Sequence, residues 1–160
     1  MKDRLRHSYR EDPAVPLFDD ARPLVIFDSM CVLCSSGVQW MLVRDPKGET
    51  RFCAIQHPLA QAIYAHYGLD AERFDTFMVL ADGKAHIKWK GVLAAAETLS
   101  LPRRWLGRAG RIIPSFIGDL IYDWVQKNRI GWFGARAFCL PPDPSLEHRF
   151  IRPYRQLVGR

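Results

Sequence analysis

The chain has 160 residues, of which 48% are hydrophobic and 25% charged, and its net charge is +6. These values are ordinary for one globular domain that buries a sizeable core, and they exclude a disordered, fibrous or repeat protein. The positive charge is spread over the N-terminal tail, the region 103–111 and the last dozen residues. This spread argues against a nucleic-acid partner, because a dedicated binding face gathers its charge on one surface.

The start of the chain lacks the apolar region of a secretory signal, and no later stretch reaches 18 uninterrupted apolar residues. We therefore expect a cytoplasmic protein with no membrane span. Cytosolic thiols are kept reduced, so the four cysteines are not expected to be structural disulfides. A Cys-x-x-Cys pair in such a protein is catalytic or binds a metal.

Residues 1–22 are charged, contain two prolines and show no periodicity. They are predicted to form a mobile arm or a strap that lies on the domain. The domain is predicted to begin at Pro23. Residues 24–27 are continuously apolar, like a strand covered on both faces. From Cys34 the apolar residues follow a helical period, which ends at Pro46.

A hairpin is the clearest feature of the next segment, because Asp82-Gly83 is a strong two-residue turn signal. Gly68 marks the end of the preceding helix. The predicted elements are, in chain order, a strand at 51–55, a helix from 58 to before 68, strands at 76–80 and 85–89, and a helix at 92–99.

The order β-α-β-α-β-β-α predicts an α/β protein with a thioredoxin-like fold, in which a four-stranded mixed sheet has helices on both faces. This core is predicted to span residues 23–102. Residues 103–160 are expected to be a C-terminal helical extension packed on the core. In the thioredoxin-like fold the active dithiol lies after the first strand, where Cys31 and Cys34 fall.

The extension contains a predicted helix that opens at Pro114 and Ser115. Its apolar stripe is expected to pack against the core, with the acids Asp119 and Asp123 on a solvated face. The basic residues of the last turn complement the helix dipole. The stripe consists of Phe116, Ile117, Leu120, Ile121, Trp124 and Val125; the last turn contains Lys127 and Arg129; and Trp132, Phe133 and Gly134 are predicted in a loop.

Cys31 and Cys34 are predicted to form a redox dithiol at a helix N-terminus, where backbone N–H groups and the helix dipole stabilise a thiolate. Cys34 continues the apolar stripe of this helix, whereas Cys31 precedes its first full turn. We therefore expect Cys31 to be the exposed nucleophile and Cys34 the shielded thiol that resolves a mixed disulfide. Asp28 is predicted either to take the proton of Cys34 or to cap the turn.

Zinc is an alternative for the same residues, because Cys31, Cys34, Cys53 and His57 have a spacing close to that of zinc ligands. Against it, Cys34 enters a helix and Cys53 lies inside a strand. We therefore assign no metal or cofactor site. Cys53 and Cys139 are interpreted as packed thiols, and His57, His66 and His86 as structural histidines.

With these residues the chain resembles the DCC family of thiol-disulfide oxidoreductase-like proteins, named for the signature Asp-x-x-Cys-x-x-Cys. The signature is Asp28, Cys31 and Cys34, and the likeness spans about residues 23–152. Further matching motifs are Arg44-Asp45-Pro46, Ile55-Gln56, Tyr122-Asp123-Trp124-Val125, Asn128-Arg129 and Trp132-Phe133-Gly134. The resemblance implies a thioredoxin-like fold and thiol-disulfide oxidoreductase activity.

Thioredoxins carry a cis-proline opposite the dithiol, before the third strand, whereas this chain reads Phe74-Asp75-Thr76. Docking of a substrate peptide beside Cys31 is therefore expected to differ. The hypothesis is an oxidoreductase whose partner is a disulfide-containing protein or a small thiol substrate. The alternative is a non-catalytic binding module, with the dithiol unused or loaded with zinc.

Overall fold

The computed structural model describes residues 7–45, 47–72, 74, 76–99, 109–135 and 144–151. Within these residues the elements follow the predicted order. The strands are β1 (Leu24–Phe27), β2 (Arg51–Ala54), β3 (Met78–Ala81) and β4 (Lys84–Ile87), and the α-helices are α1 (Val32–Arg44), α2 (Pro58–His66), α3 (Lys88–Glu97) and α4 (Ser115–Phe133). Short 3-10 helices lie at Tyr9–Glu11 and Pro144–Arg149.

The strands form one mixed sheet in the order β2-β1-β3-β4. Strand β1 is parallel to β2, with Val25 opposite Phe52, and antiparallel to β3, with Val25 opposite Val79. Strand β3 pairs with β4 through the predicted hairpin, in which Asp82 and Gly83 both have positive φ. The predicted α/β class and the four-stranded mixed sheet are confirmed, and the arrangement is consistent with the thioredoxin-like fold.

Side chains of β1 alternate between two hydrophobic clusters, one on each face of the sheet. Leu24 and Ile26 pack with the residues of α2 on one face. Val25 and Phe27 pack on the other face with apolar residues of α1 and α3. The continuous apolar run of β1 therefore has the predicted cause, since this strand is covered on both sides.

Helix α3 begins earlier than the sequence predicts, because Lys88 has a positive φ that ends β4 and turns the chain. The prediction of strand at Trp89 is therefore wrong. Gly91 lies inside the helix, where a Cβ atom would come within 2.8 Å of the His86 carbonyl oxygen. Glycine at this position lets α3 start directly against β4.

Helix α4 is longer than predicted, since Trp132 and Phe133 belong to it and the loop begins at Gly134. The predicted orientation of its apolar stripe is also wrong: Phe116 is 66%, Leu120 68% and Trp124 60% exposed. The side that faces the domain consists instead of small and polar residues, among them Gly118, Tyr122, Gln126 and Arg129.

The two acids of α4 explain this orientation. Asp119 accepts a hydrogen bond of 3.2 Å from the backbone N–H of Trp89, and Asp123 lies 2.7 Å from the Lys88 ammonium group. Both contacts hold α4 at the N-terminus of α3, where backbone N–H groups lack partners within the helix. Trp89 also packs against Gly118, where an added Cβ atom would lie 2.2 Å from the ring.

The described part of the N-terminal segment lies on the domain, as one of the two predicted alternatives states. Tyr9 and Val15 are buried in the core cluster around α2. Asp12 pairs with His66 at 2.6 Å, and Ser8 donates a hydrogen bond to the Gly83 carbonyl. Residues 7–22 thus form a strap. The predicted domain boundary between residues 102 and 103 lies outside the described residues, and so does Cys139, which is predicted to be a packed thiol.

Candidate active site

The turn between β1 and α1 places both cysteines at the start of the helix. Asp28 directly follows β1, and its Oδ1 accepts a 2.9 Å hydrogen bond from the N–H of Met30. Ser29 is buried and donates to Gln56 at 2.9 Å, which ties the turn to the end of β2. Cys31 then has the extended backbone of a helix N-cap, and Cys34 lies in the first turn of α1.

The Cys31 sulfur occupies the place where an N-cap side chain accepts from the helix. Its Sγ accepts a hydrogen bond of 3.4 Å from the backbone N–H of Cys34. This is the contact that the sequence predicts for a helix-stabilised thiolate.

The surroundings lower the pKa of Cys31 to about 6. The hydrogen bond from the Cys34 thiol contributes most, and the Cys34 backbone N–H and the positive charge of Arg129 add to it. Burial and the negative charge of Asp28 act in the opposite direction. This shift favours the thiolate of Cys31 at neutral pH.

Cys34 differs sharply from its neighbour. The hydrogen bond that its thiol donates to Cys31 raises the pKa of Cys34, and burial raises it further. Neither cysteine is in a disulfide. The two thiols therefore differ in acidity, since the pKa of Cys31 lies below the ordinary cysteine value and that of Cys34 lies above it.

The predicted exposure of the two cysteines is wrong. Cys31 is 0% exposed, whereas Cys34 is only partly buried. The chain that follows α4 lies against this residue: Ala135 forms a backbone bridge with Cys31, and the Gly134 carbonyl accepts from the N–H of Val32. We call Gly134 and Ala135 the cover. The cover and Cys31 are far apart in sequence, so no local pattern predicts their contact.

Arg129 is a further site residue, for which the sequence predicts only a contact with the helix dipole and a place in the Asn128-Arg129 motif of the family resemblance. It is 6% exposed, and its Nη2 donates to Asp28 Oδ2 at 3.3 Å. Its guanidinium group lies 4.7 Å from the centre of the Phe74 ring. The spacing Gly118, Tyr122, Gln126, Arg129 was the available signal, because it places these small and polar residues along one side of a helix.

The same side of α4 holds the loop before β3. The hydroxyl of Tyr122 accepts a hydrogen bond of 2.6 Å from the N–H of Phe77. The amide of Gln126 donates to the Phe74 carbonyl at 2.8 Å. These backbone groups lie in the segment where the sequence lacks the thioredoxin proline, and both are bound within the protein.

The four candidate zinc ligands do not form one site: Cys31 and Cys34 form the dithiol, whereas Cys53 and His57 have structural roles. Cys53 is buried in the core, and this burial raises its pKa to about 12. His57 caps α2, where its Nδ1 accepts from the N–H of Leu59 at 3.0 Å. Among the described residues, no group of three or more His, Cys, Asp or Glu side chains is placed to hold a metal ion. The predicted zinc alternative thus has no assembled ligand set.

Two other histidines are tied to the fold. His66 pairs with Asp12 of the strap. Burial lowers the pKa of His86 on β4.

Over the described part of the chain, no helix is long and apolar enough to cross a membrane.

Comparison with known proteins adds an independent result. The profile of the DCC1-like thiol-disulfide oxidoreductase family matches residues 25–135. The uncharacterized protein YuxK of Bacillus subtilis (strain 168) is 33% identical over 128 residues, which cover 80% of this chain and 93% of YuxK. A chloroplastic DCC family protein of Arabidopsis thaliana is 27% identical over 121 residues, which cover 76% of this chain and 70% of that protein. No solved structure gives a significant match.

Proposed function

The chain belongs to the DCC1-like thiol-disulfide oxidoreductase family, and from this premise we propose that it exchanges thiols and disulfides through Cys31 and Cys34. The observation that carries the proposal is the hydrogen bond from the helix N-terminus to the Cys31 sulfur. A thiolate is the attacking species in this chemistry, and this contact favours the thiolate.

The reaction follows from the unequal sulfurs. The Cys31 thiolate attacks one sulfur of a substrate disulfide, so that a Cys31–substrate disulfide forms and the other substrate sulfur leaves as a thiolate. Cys34 then loses its proton and attacks Cys31. The second substrate thiolate leaves, and the Cys31–Cys34 disulfide remains. Two electrons pass to the substrate, and a thiol reductant restores the dithiol.

Asp28 takes part in this proposal as a positioning residue. Its oxygens are bound to the N–H of Met30 and to Arg129. Of the two roles predicted for Asp28, we therefore propose the turn cap, with Arg129 balancing the carboxylate charge beside the thiolate. The first substrate thiolate to leave takes the proton of Cys34. Once released, this thiolate is a stronger base than the Asp28 carboxylate.

Substrate size follows from how the site is enclosed. The cover must move before any disulfide reaches Cys31, since this sulfur has no exposure. The loop before β3 has its Phe77 N–H and Phe74 carbonyl already bound by α4, so this edge offers a peptide few free backbone partners. Of the two predicted partner classes, we propose the small-molecule thiol or disulfide.

The test is reduction of a small model disulfide, such as oxidised glutathione, by the reduced protein. We expect exchange in the wild type and none in Cys31→Ser. Cys34→Ser is expected to stop at a trapped mixed disulfide on Cys31, visible as a mass increase of the intact protein. Equal exchange rates in the wild type and Cys31→Ser would refute the proposal.

A non-catalytic binding module is the second candidate, and the complete burial of Cys31 favours it. On this account the low-pKa sulfur stabilises the start of α1 and never meets a substrate. The two candidates separate in the same assay. The binding module predicts that the wild type, supplied with excess disulfide, forms neither a mixed disulfide nor a Cys31–Cys34 disulfide.

A further inference from the structure

Phe74 has a backbone conformation that bulky residues rarely adopt. Its φ is 46°, in the left-handed region where a side chain crowds its own backbone. The residue is nevertheless buried, with only 3% exposure. Strain of this kind persists only where the surroundings impose it, and such positions cluster at functional sites. The reaction proposed above gives Phe74 no role.

Side chains from two helices hold the segment around Phe74. On one side, the Gln126 amide of α4 donates to the Phe74 carbonyl oxygen at 2.8 Å. On the other, the Tyr64 hydroxyl of α2 donates to the Thr76 carbonyl oxygen. The Tyr64 ring also stacks on the Phe74 ring, with the two centroids 6.4 Å apart. These contacts fix both the strained backbone and the plane of the Phe74 ring.

The Phe74 ring also faces the guanidinium group of Arg129, whose central carbon lies 4.7 Å from the ring centre. A ring face attracts a cation, and more strongly where water is excluded. Arg129 is buried, and its Nη2 donates to Asp28 at 3.3 Å, whereas Nε and Nη1 have no acceptor among the described residues. One long hydrogen bond leaves the guanidinium plane free to tilt. The ring face is therefore the contact that fixes this plane.

The position of the Arg129 charge matters to the dithiol. The charges of Arg129 and Asp28 act on Cys31 in opposite directions, and Cys34 donates a hydrogen bond to the same sulfur. The effect of an ion pair on a third group depends on its distance from each charge, because Coulomb energies fall with distance. A small displacement of the guanidinium group therefore changes the ionisation of Cys31.

We propose that Phe74 is a positioning residue of the dithiol, whose ring face holds the Arg129 guanidinium group beside Asp28, where its charge acts on Cys31. The strained backbone lets one short segment bond α2 and α4 while its ring faces Arg129. The inference rests on the proposed role of Cys31 as the attacking sulfur. Its test measures ionisation and needs no substrate.

Phe74→Leu removes the ring face and keeps an apolar side chain that is equally strained at this φ. Without the ring, the unpaired N–H groups of Arg129 can turn from the dithiol toward water in the pocket between α1, α3 and α4, which Arg129 also lines. We expect the ultraviolet transition of the Cys31 thiolate to move to higher pH. About threefold less thiolate should be present at pH 5, the change that a weak ring–cation contact produces.

Three further variants separate positioning from a loss of packing. Phe74→Tyr keeps the ring face and should titrate like the wild type. Phe18→Leu removes a ring that packs on the same core cluster but stacks on Tyr9, so it should leave the transition unchanged. In an Arg129→Met background, Phe74→Leu should cause no further change, because the cation that the ring holds is absent.

The unaltered protein gives a second readout, which keeps the proposal testable if Phe74→Leu does not fold. Protons above an aromatic ring face resonate upfield, so the Arg129 Nε–H should lie upfield of an ordinary arginine. An ordinary resonance position, an unchanged transition in Phe74→Leu, or an equal change in Phe18→Leu or Phe74→Tyr would overturn the proposal. If the expected results hold while thiol exchange is absent, the proposed function fails and the positioning role of Phe74 stands.

Discussion

The Cys31 sulfur lies near one negatively and one positively charged side chain, and these two charges shift its pKa in opposite directions. Arg129 lowers the pKa of Cys31, and Asp28 raises it. The two side chains also bind each other, so the charge that the thiolate experiences is the difference between them. Small changes at either position therefore alter the fraction of Cys31 that is ionised at a given pH.

Opposite shifts are the test of this balance. Asp28→Asn keeps an oxygen for the N–H of Met30 but removes the negative charge, so the pKa of Cys31 should fall. Arg129→Met removes the positive charge, so the pKa should rise. The measurement is the rate of Cys31 alkylation against pH, with each peptide quantified by mass spectrometry. Shifts in the same direction in both variants would contradict this account.

Residue patterns predict the dithiol because its chemistry is local. Cys31 and Cys34 are three positions apart at a strand-to-helix junction, and the helix N-terminus acts on the residue that caps it. Arg129 could not be assigned in the same way. Its contact with Asp28 depends on the packing of α4, which no short-range pattern specifies.

Helix α4 shows how an amphipathic pattern can mislead. Its apolar residues outnumber its polar ones, and burial of the apolar stripe is the ordinary expectation. The side with small and polar residues faces the domain instead, because Asp119 and Asp123 bind the start of α3 and Gly118 admits the Trp89 ring. The specific partners of three residues thus override the average hydrophobicity of the helix.

The end of α4 controls access to Cys31. Gly134 has φ 82° and ψ 170°, a backbone conformation that is essentially restricted to glycine. Alanine at this position strains the cover by about 1–3 kcal/mol. The cover should therefore be open in a larger fraction of the molecules.

We expect Gly134→Ala to speed alkylation of Cys31 about tenfold at pH 8, where the thiolate is already fully formed and opening limits the rate. Gly131→Ala is the matched control, because it lies in α4 with nothing within 4 Å of an added Cβ atom. The control should leave the alkylation rate unchanged. An unchanged rate in Gly134→Ala would mean that the cover does not limit access.

At the scale of the whole molecule, the site forms where two distant segments meet. The segment from Asp28 to Cys34 supplies the sulfurs and the turn, and the segment from Arg129 to Ala135 supplies the guanidinium group and the cover. The sheet positions the first segment, and α3 positions the second through its contacts with α4.

The spacing of apolar residues predicts the strands and helices that build the sheet. Each element must bury one face, and the spacing shows which face is apolar. They correctly predict β1 with residues 24–27 and the hairpin at Asp82-Gly83. They do not predict the burial of Cys31. The return of the chain after α4 brings Gly134 and Ala135 against this part of the chain, and these residues are far from Cys31 in sequence.

Direct titration of the Cys31 thiolate, followed by its ultraviolet absorbance against pH, is the most direct measurement of the central claim. We predict a transition at about pH 6 that is absent from Cys31→Ser. The thiolate should be lost below this pH, and thiol exchange with it. A transition at the ordinary cysteine value of about 8.5 would show that the helix N-terminus and Cys34 do not stabilise the thiolate, and would contradict the account.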